Sequence, residues 1–182
     1  MSTLKVSTIS PLGTDATKTI TIGSAGDTIA GMGANTPAFS AANSTSQTIS
    51  LNTDTKVTFD SESYDTNNAF ANSRFTVPTG GAGKYAIYID GAFQVSADYK
   101  QVWIKLYKNG SYSDSVPGIE QRIRMTTNYF KGDSSQRLSA SGTLLLAEGD
   151  YLEVFGYINA DSGTPQFNGP SFHFSGNRLI GA

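Results

Sequence analysis

The side chains able to do chemistry are few, and their spacing assembles little. His173 is the one histidine of the chain, and it stands between Phe172 and Phe174, where an outward-facing or interface imidazole is expected before a general base. Serines abound, yet no G-x-S-x-G elbow fixes one as a nucleophile. Glu62, Glu120, Glu148 and Glu153 are the acids that glycan cleavage would need as a pair held about 5 to 9 Å apart. Glu148 adjoins a turn and Glu153 falls on a strand's outer side, ordinary solvated positions. Asp114, Asp133 and Asp161 fall in loops where calcium ligands converge, but D-x-D-x-D-G spacing is absent. The glycines of TGGAGK at 79–84 lack the full phosphate-binding pattern and precede a strand instead of a helix. The expectation is therefore a non-enzymatic protein with no catalytic residue, cofactor or metal assigned.

Composition narrows the classes further. The chain has 182 residues with 13 Lys and Arg against 15 Asp and Glu, and a net charge of −2. That balance offers no electrostatic footprint for nucleic acid or an anionic membrane. No stretch approaches the ~20 apolar residues of a membrane-spanning helix, and the start MSTLKVSTISPLG has no continuous apolar core of an export signal. There are no cysteines, so stability must come from burial or assembly. Asn43-Ser44-Thr45 and Asn109-Gly110-Ser111 match the glycosylation pattern, which matters only in a secretory pathway that the chain does not visibly enter.

The elements that would position any site follow from periodicity. Residues 1–35 carry no aromatic side chain and repeat a short unit, TISPLG, TIGSAG and TIAGMG. They read as an anchoring or trimerising segment, with a flexible leader as the equal alternative. From residue 36 the pattern has a period of two. Tyr85, Ile87 and Ile89 alternate with Ala86, Tyr88 and Asp90; Val102, Ile104 and Leu106 alternate with Trp103, Lys105 and Tyr107. Leu138, Ala140, Leu144 and Leu146, then Leu152, Val154 and Ile158, then Phe172 and Phe174 continue the theme. Ile123, Met125 and Thr127 are placed in a further strand.

Between these runs stand Pro78-Thr79-Gly80-Gly81, Lys108-Asn109-Gly110, Glu148-Gly149-Asp150 and Asn168-Gly169-Pro170. Many short strands, regular turns and no helical stretch argue for an all-β sandwich or jelly roll. Gly149 and Asp150 are read as the reversal that lets two core strands run antiparallel.

The segments SRFTVPTGGAGKYAIYI, LYKNG, LSASGTLLLAEGDYLEV and PSFHFSGNRLI, in this order, resemble the globular head of the complement first-component q subunit. That family is closely similar to the tumour-necrosis-factor fold. Phe75 and Pro78 match its F-x-V-P, Gly83 and Tyr85 its G-x-Y, Gly149 and Asp150 its G-D, and Phe172, Ser175 and Gly176 its F-x-x-S-G. The resemblance covers roughly residues 37–182 and implies a ten-strand jelly roll that assembles as a homotrimer. No collagen-like stalk precedes it. The leader instead resembles N-terminal segments of bacteriophage fibre and appendage proteins.

Together these imply a structural virion protein: a trimeric tail or head fibre, appendage or capsid-decoration subunit. It would sit on the particle surface, held to other virion proteins through residues 1–35 and presenting its head for host attachment. The alternative is a secreted or cell-surface adhesive trimer that recognises glycans or proteins.

Trp103, Tyr107, Phe155 and Tyr157 lie on the strand faces opposite the core. Four such rings in water form an apolar patch of the kind that marks contact sites, so they are the candidates for the trimer interface. Cover by a loop of the same chain is the competing expectation. The polar loop 108–118, with Tyr112 and Asp114, is the candidate surface-binding loop for a host glycan or protein.

Overall fold

A computed structural model describes residues 35–112, 120–124, 130–133 and 135–179, with the backbone alone for 120–124. The segment 1–35, all but Asn35, lies outside the described residues, as do Asp114, Met125 and Thr127.

Among the described residues fourteen strands follow one another: β1 Ala38–Ala42, β2 Gln47–Thr48, β3 Thr55–Lys56, β4 Ser61–Asp65, β5 Phe70–Ala71, β6 Arg74–Thr76 and β7 Gly83–Val95, then β8 Tyr99–Lys108, β9 Ser111–Tyr112, β10 Glu120–Arg124, β11 Gln136–Leu146, β12 Tyr151–Ala160, β13 Pro165–Phe167 and β14 His173–Arg178. They form two antiparallel sheets. The first has the order β2-β13-β7-β14-β1-β4 with β11 on the other edge of β7; the second has the order β10-β8-β12-β6-β5, with β9 on β8 and β3 on β12. No helix occurs among the described residues. This is the expected jelly-roll sandwich, its ten strands joined by short ladders too brief for periodicity to reveal.

The alternation read from the sequence is the packing of the core. Tyr85, Ile87 and Ile89, and likewise Val102, Ile104 and Leu106, point between the sheets and are at most 2% exposed. Phenylalanines fill the space between layers. Phe39 stacks on Phe75 at 4.4 Å between ring centroids and takes the edge of Phe174 at 4.9 Å, while Phe93 meets Phe172 at 5.1 Å. Aromatic pairs in these offset and edge-on geometries add to the area they bury. The rings come so close to the backbone that Gly91 has no room for a side chain: a Cβ there would lie 2.3 Å from the Phe172 ring.

Two turns carry the geometry their residues favour. Asn109 and Gly110 have φ of 53° and 76° and close the β8–β9 hairpin, the two-residue turn in which both positions need positive φ. Pro78 accepts a hydrogen bond from the Gly81 N–H at 2.9 Å, with Gly80 at φ 73°, as a type II turn requires.

At Gly149-Asp150 the expectation needs correction. The turn is there, with Gly149 at φ 81° and the Asp150 carboxylate accepting the Ala147 N–H at 2.8 Å. However, β11 pairs with β7 in the first sheet and β12 with β8 in the second. The turn passes the chain from one layer to the other instead of pairing the two strands, and periodicity alone cannot separate the two cases.

Candidate functional site: two outer faces

The sandwich presents two outer faces of different chemistry. On the second sheet, β8 and β12 run side by side, and their outward residues are the four rings picked from the sequence. Trp103 and Tyr157 are register partners with centroids 6.3 Å apart; Tyr107 and Phe155 lie 4.0 Å apart. All four are half-buried, and the cover comes from the same chain.

Between the two ring pairs sits Lys105, only 8% exposed. Its ammonium is 4.6 Å from the Trp103 ring centre, 5.1 Å from Tyr112 and 5.2 Å from Tyr157. It also donates to both carboxylate oxygens of Asp54, at 2.7 and 2.9 Å. The Tyr107 hydroxyl donates to the same carboxylate at 2.7 Å. Burial first, then that hydrogen bond and the Asp54 charge, raise the Tyr107 phenol far above its ordinary value. A phenol so placed stays protonated and holds its donor role.

A second ionic knot adjoins the first. Glu153 is 6% exposed and accepts from Lys56 at 2.7 Å and Arg74 at 3.0 Å, while the Arg74 guanidinium lies over the Tyr151 ring at 4.0 Å. Burial pushes the Glu153 carboxyl up, but the hydrogen bonds and charges of Lys56 and Arg74 outweigh it and hold the group below the ordinary range. The expectation of a solvated Glu153 is thus overturned. Lys56 belongs to β3, which pairs with β12 at Phe155 and Gly156, and from that neighbouring stretch of chain the side chains of Asp54 and Lys56 reach over an outer face that alternation alone marks as wet.

The first sheet's outer face mixes small neutral side chains with Lys84 and a cluster of Asp90, Arg137 and His173. Ala38 and Ser40 of β1, Ala86 of β7, Ser139 and Ser141 of β11 and Ser175 of β14 point outward. Among the described residues the three exposed large hydrophobics all lie on this face: Leu145 at 74%, Tyr88 at 54% and Tyr64 at 51%. Across its middle runs a groove of about 310 Å³, lined by Tyr88, Asp90, Ser139, Ser141, His173 and Ser175 among others. There His173 Nδ1 is 3.3 Å from Asp90, whose carboxylate also receives Arg137. His173 is half-exposed, in keeping with the outward imidazole expected between two core phenylalanines.

The remaining candidates are accounted for locally. Glu62 is exposed on β4, Glu148 accepts the Gly80 N–H at 3.0 Å, and Asp161 pairs with Lys100 at 3.1 Å. Among the described residues no three metal-ligating side chains gather. Asn43, 2% exposed, spends its amide on Thr45, Asn168, Ser171 and Phe172. Asn109 likewise bridges Asp150 and Tyr151, so both glycosylation matches are structural asparagines. Tyr112 lies on β9 beside Tyr107, with centroids 5.8 Å apart, as part of the ring cluster.

No protein-family model and no curated protein matches the chain. Solved structures do. The globular domain of zebrafish complement 1qA protein superposes with a TM-score of 0.53 at 18% identity, over 79% of this chain and 98% of that one. The Eiger TNF from S. frugiperda superposes with a TM-score of 0.56 at 14% identity, over 80% and 93%. At these identities the likeness is one of fold, and it is the fold that the sequence resemblance implied.

Proposed function

We propose that the chain is the head of a non-enzymatic homotrimer that associates through the outer face of the first sheet. The observation that carries this reading is the placing of Leu145, Tyr88 and Tyr64, the three exposed large hydrophobics among the described residues, on one face. Exposed apolar side chains of this kind mark contact surfaces, the serines and alanines between them let another copy approach closely, and the Asp90 carboxylate is already paired with Arg137 and His173. The second sheet's face carries more charge, with Lys56 and Arg74 on Glu153 and Lys105 on Asp54, so the four rings named from the sequence belong on the outside of this trimer. The number three comes from the sequence resemblance.

The role that fits is a virion appendage, fibre or decoration subunit anchored by residues 1–35, an assignment supported by the likeness of that segment to phage fibre leaders. Deleting residues 1–35 abolishes particle association while leaving the head folded; a head that stays on particles without them contradicts the anchor. A secreted or cell-surface adhesive trimer is the second reading, favoured by the aromatic outer face, and binding to cells in the absence of any particle distinguishes it.

Among the described residues the His173–Asp90 pair beside serine hydroxyls is the one grouping with the elements of acyl transfer. It lies open in the groove, with Asp90 shared by Arg137. No hydrolysis of an activated ester above the buffer rate is expected, and hydrolysis that His173→Ala abolishes would overturn the non-enzymatic reading.

A further inference from the structure

We infer that the outer face of the second sheet binds a neutral oligosaccharide, on the platform formed by Trp103, Tyr157, Tyr107 and Phe155 around Lys105. This deepens the reading above, because it names what the outward side of such a head would hold.

The chemistry of the face disfavours other classes of ligand. A cationic guest would seek the aromatic cage, but Lys105 already fills it, 4.6 to 5.2 Å from three ring centres. An anion would meet cations that are committed: Lys105 to Asp54, and Lys56 and Arg74 to Glu153. An apolar peptide or second copy would strip water from Asp54, Lys56 and Arg74, whose side chains are 30%, 32% and 42% exposed, and offer nothing in return.

A sugar does what those ligands do not. Its C–H face packs on half-buried rings, while its hydroxyls replace the displaced water at both an acceptor, Asp54, and donors, Lys56 and Arg74. Mixed apolar and directed polar contact is the usual composition of a small-molecule site. The platform is also rigid beforehand. Lys105, Asp54 and Tyr107 lock one another by three hydrogen bonds, so little side-chain freedom is lost on binding. Trp103 and Tyr107 are four residues apart, about 13 Å at ~3.3 Å per residue. That span exceeds one hexose and points to an oligosaccharide.

Trp103 is the only tryptophan of the chain, so its fluorescence reports the platform alone. The full-length protein is screened on an array of neutral and anionic glycans, and array hits together with maltoheptaose, cellohexaose and chitohexaose are titrated while Trp103 emission is followed, with the mass of the species measured alongside. A saturable change is expected with a neutral glycan, insensitive to 0.5 M salt (an ionic strength of about half molar at which surface ion pairs are screened). Tyr157→Ala weakens it at least tenfold (about 1.4 kcal/mol), Phe155→Ala does the same, and Glu62→Ala, at an exposed position of β4 in the other sheet, leaves it unchanged. Unaltered circular dichroism of Tyr157→Ala, with Tyr157→Phe retaining binding, separates loss of the ring from loss of the fold. No neutral glycan bound, salt-sensitive binding of anionic glycans only, or neutral binding that survives both alanine substitutions overturns the inference. Binding by a species of single-chain mass would contradict the trimer and leave the saccharide site standing.

Discussion

Replacing Ser141 by arginine separates the fold from the assembly. Ser141 is exposed on β11, directly opposite Tyr88 of β7, and its side chain supports nothing in the core. In an isolated chain the long cation reaches water, and the change in stability stays within about 0.5 kcal/mol. In the proposed trimer the same guanidinium meets Tyr88 and serines of a neighbouring copy, where the nearest carboxylate, Asp90, is already held by Arg137 and His173. Removing an ion from water without a partner costs several kcal/mol. Even at about 2 kcal/mol each, after partial escape to solvent, three copies lose roughly 6 kcal/mol, close to four decades in the association constant at ~1.4 kcal/mol per decade.

Sedimentation velocity over a concentration series reads that loss directly, and a thermal melt of the dissociated species checks the fold. Ser141→Ala, which keeps the position small and neutral, assembles as the parent does. Tyr157→Arg, on the other sheet, also leaves assembly intact. If Ser141→Arg sediments as the parent at every concentration, the first sheet's face is not the contact. If Tyr157→Arg dissociates the protein instead, the aromatic face takes that place.

Other consequences test the sandwich itself. Gly91→Ala forces a methyl to within 2.3 Å of the Phe172 ring, and the overpacking costs about 1–3 kcal/mol, seen as a melting temperature lower by roughly 2–12 °C; an unchanged melt would remove that close packing. Glu153→Gln leaves Lys56 and Arg74 without a counter-charge, and because both retain solvent the loss is about 1–2 kcal/mol, below the 3–5 of a fully buried pair, measured by urea unfolding. Acid sensitivity follows from two carboxyls. Burial raises Asp150, but hydrogen bonds from Asn109, Lys108 and the Ala147 N–H, with the Lys108 charge, bring it down to about 2; Glu153 is lowered too. Since both bind protons less readily when folded, their stabilisation is complete above about pH 4 and disappears as the pH falls toward about 2. Asp150→Asn flattens that slope in urea titrations between those limits, and an unchanged slope would contradict the assignment.

The sequence made the inner half of the sandwich legible because burial on one face writes itself as alternation: Tyr85, Ile87, Ile89, Val102, Ile104 and Leu106 all point inward. The order F-x-V-P, G-x-Y, G-D and F-x-x-S-G carried the architecture. The outer faces were harder. Glu153 read as solvated and Lys105 fell on the outward side of its strand because their neighbours in sequence are core residues, yet both are buried. What buries them is the chain around Asp54 and Lys56, some fifty and ninety-seven residues away respectively, a proximity that only the tertiary fold creates. The same limit hid the Gly149 turn's passage between sheets. The rings Trp103, Tyr107, Phe155 and Tyr157 were found, and found together, because four aromatics on the wet side of two strands need explaining; which partner they face is not written in their spacing.

Native mass spectrometry of the purified full-length protein tests the central claim most directly. The account predicts one dominant species at three times the 19.3 kDa chain, reduced to single chains by Ser141→Arg. A compact species of one chain's mass, persisting at micromolar concentration, would contradict it.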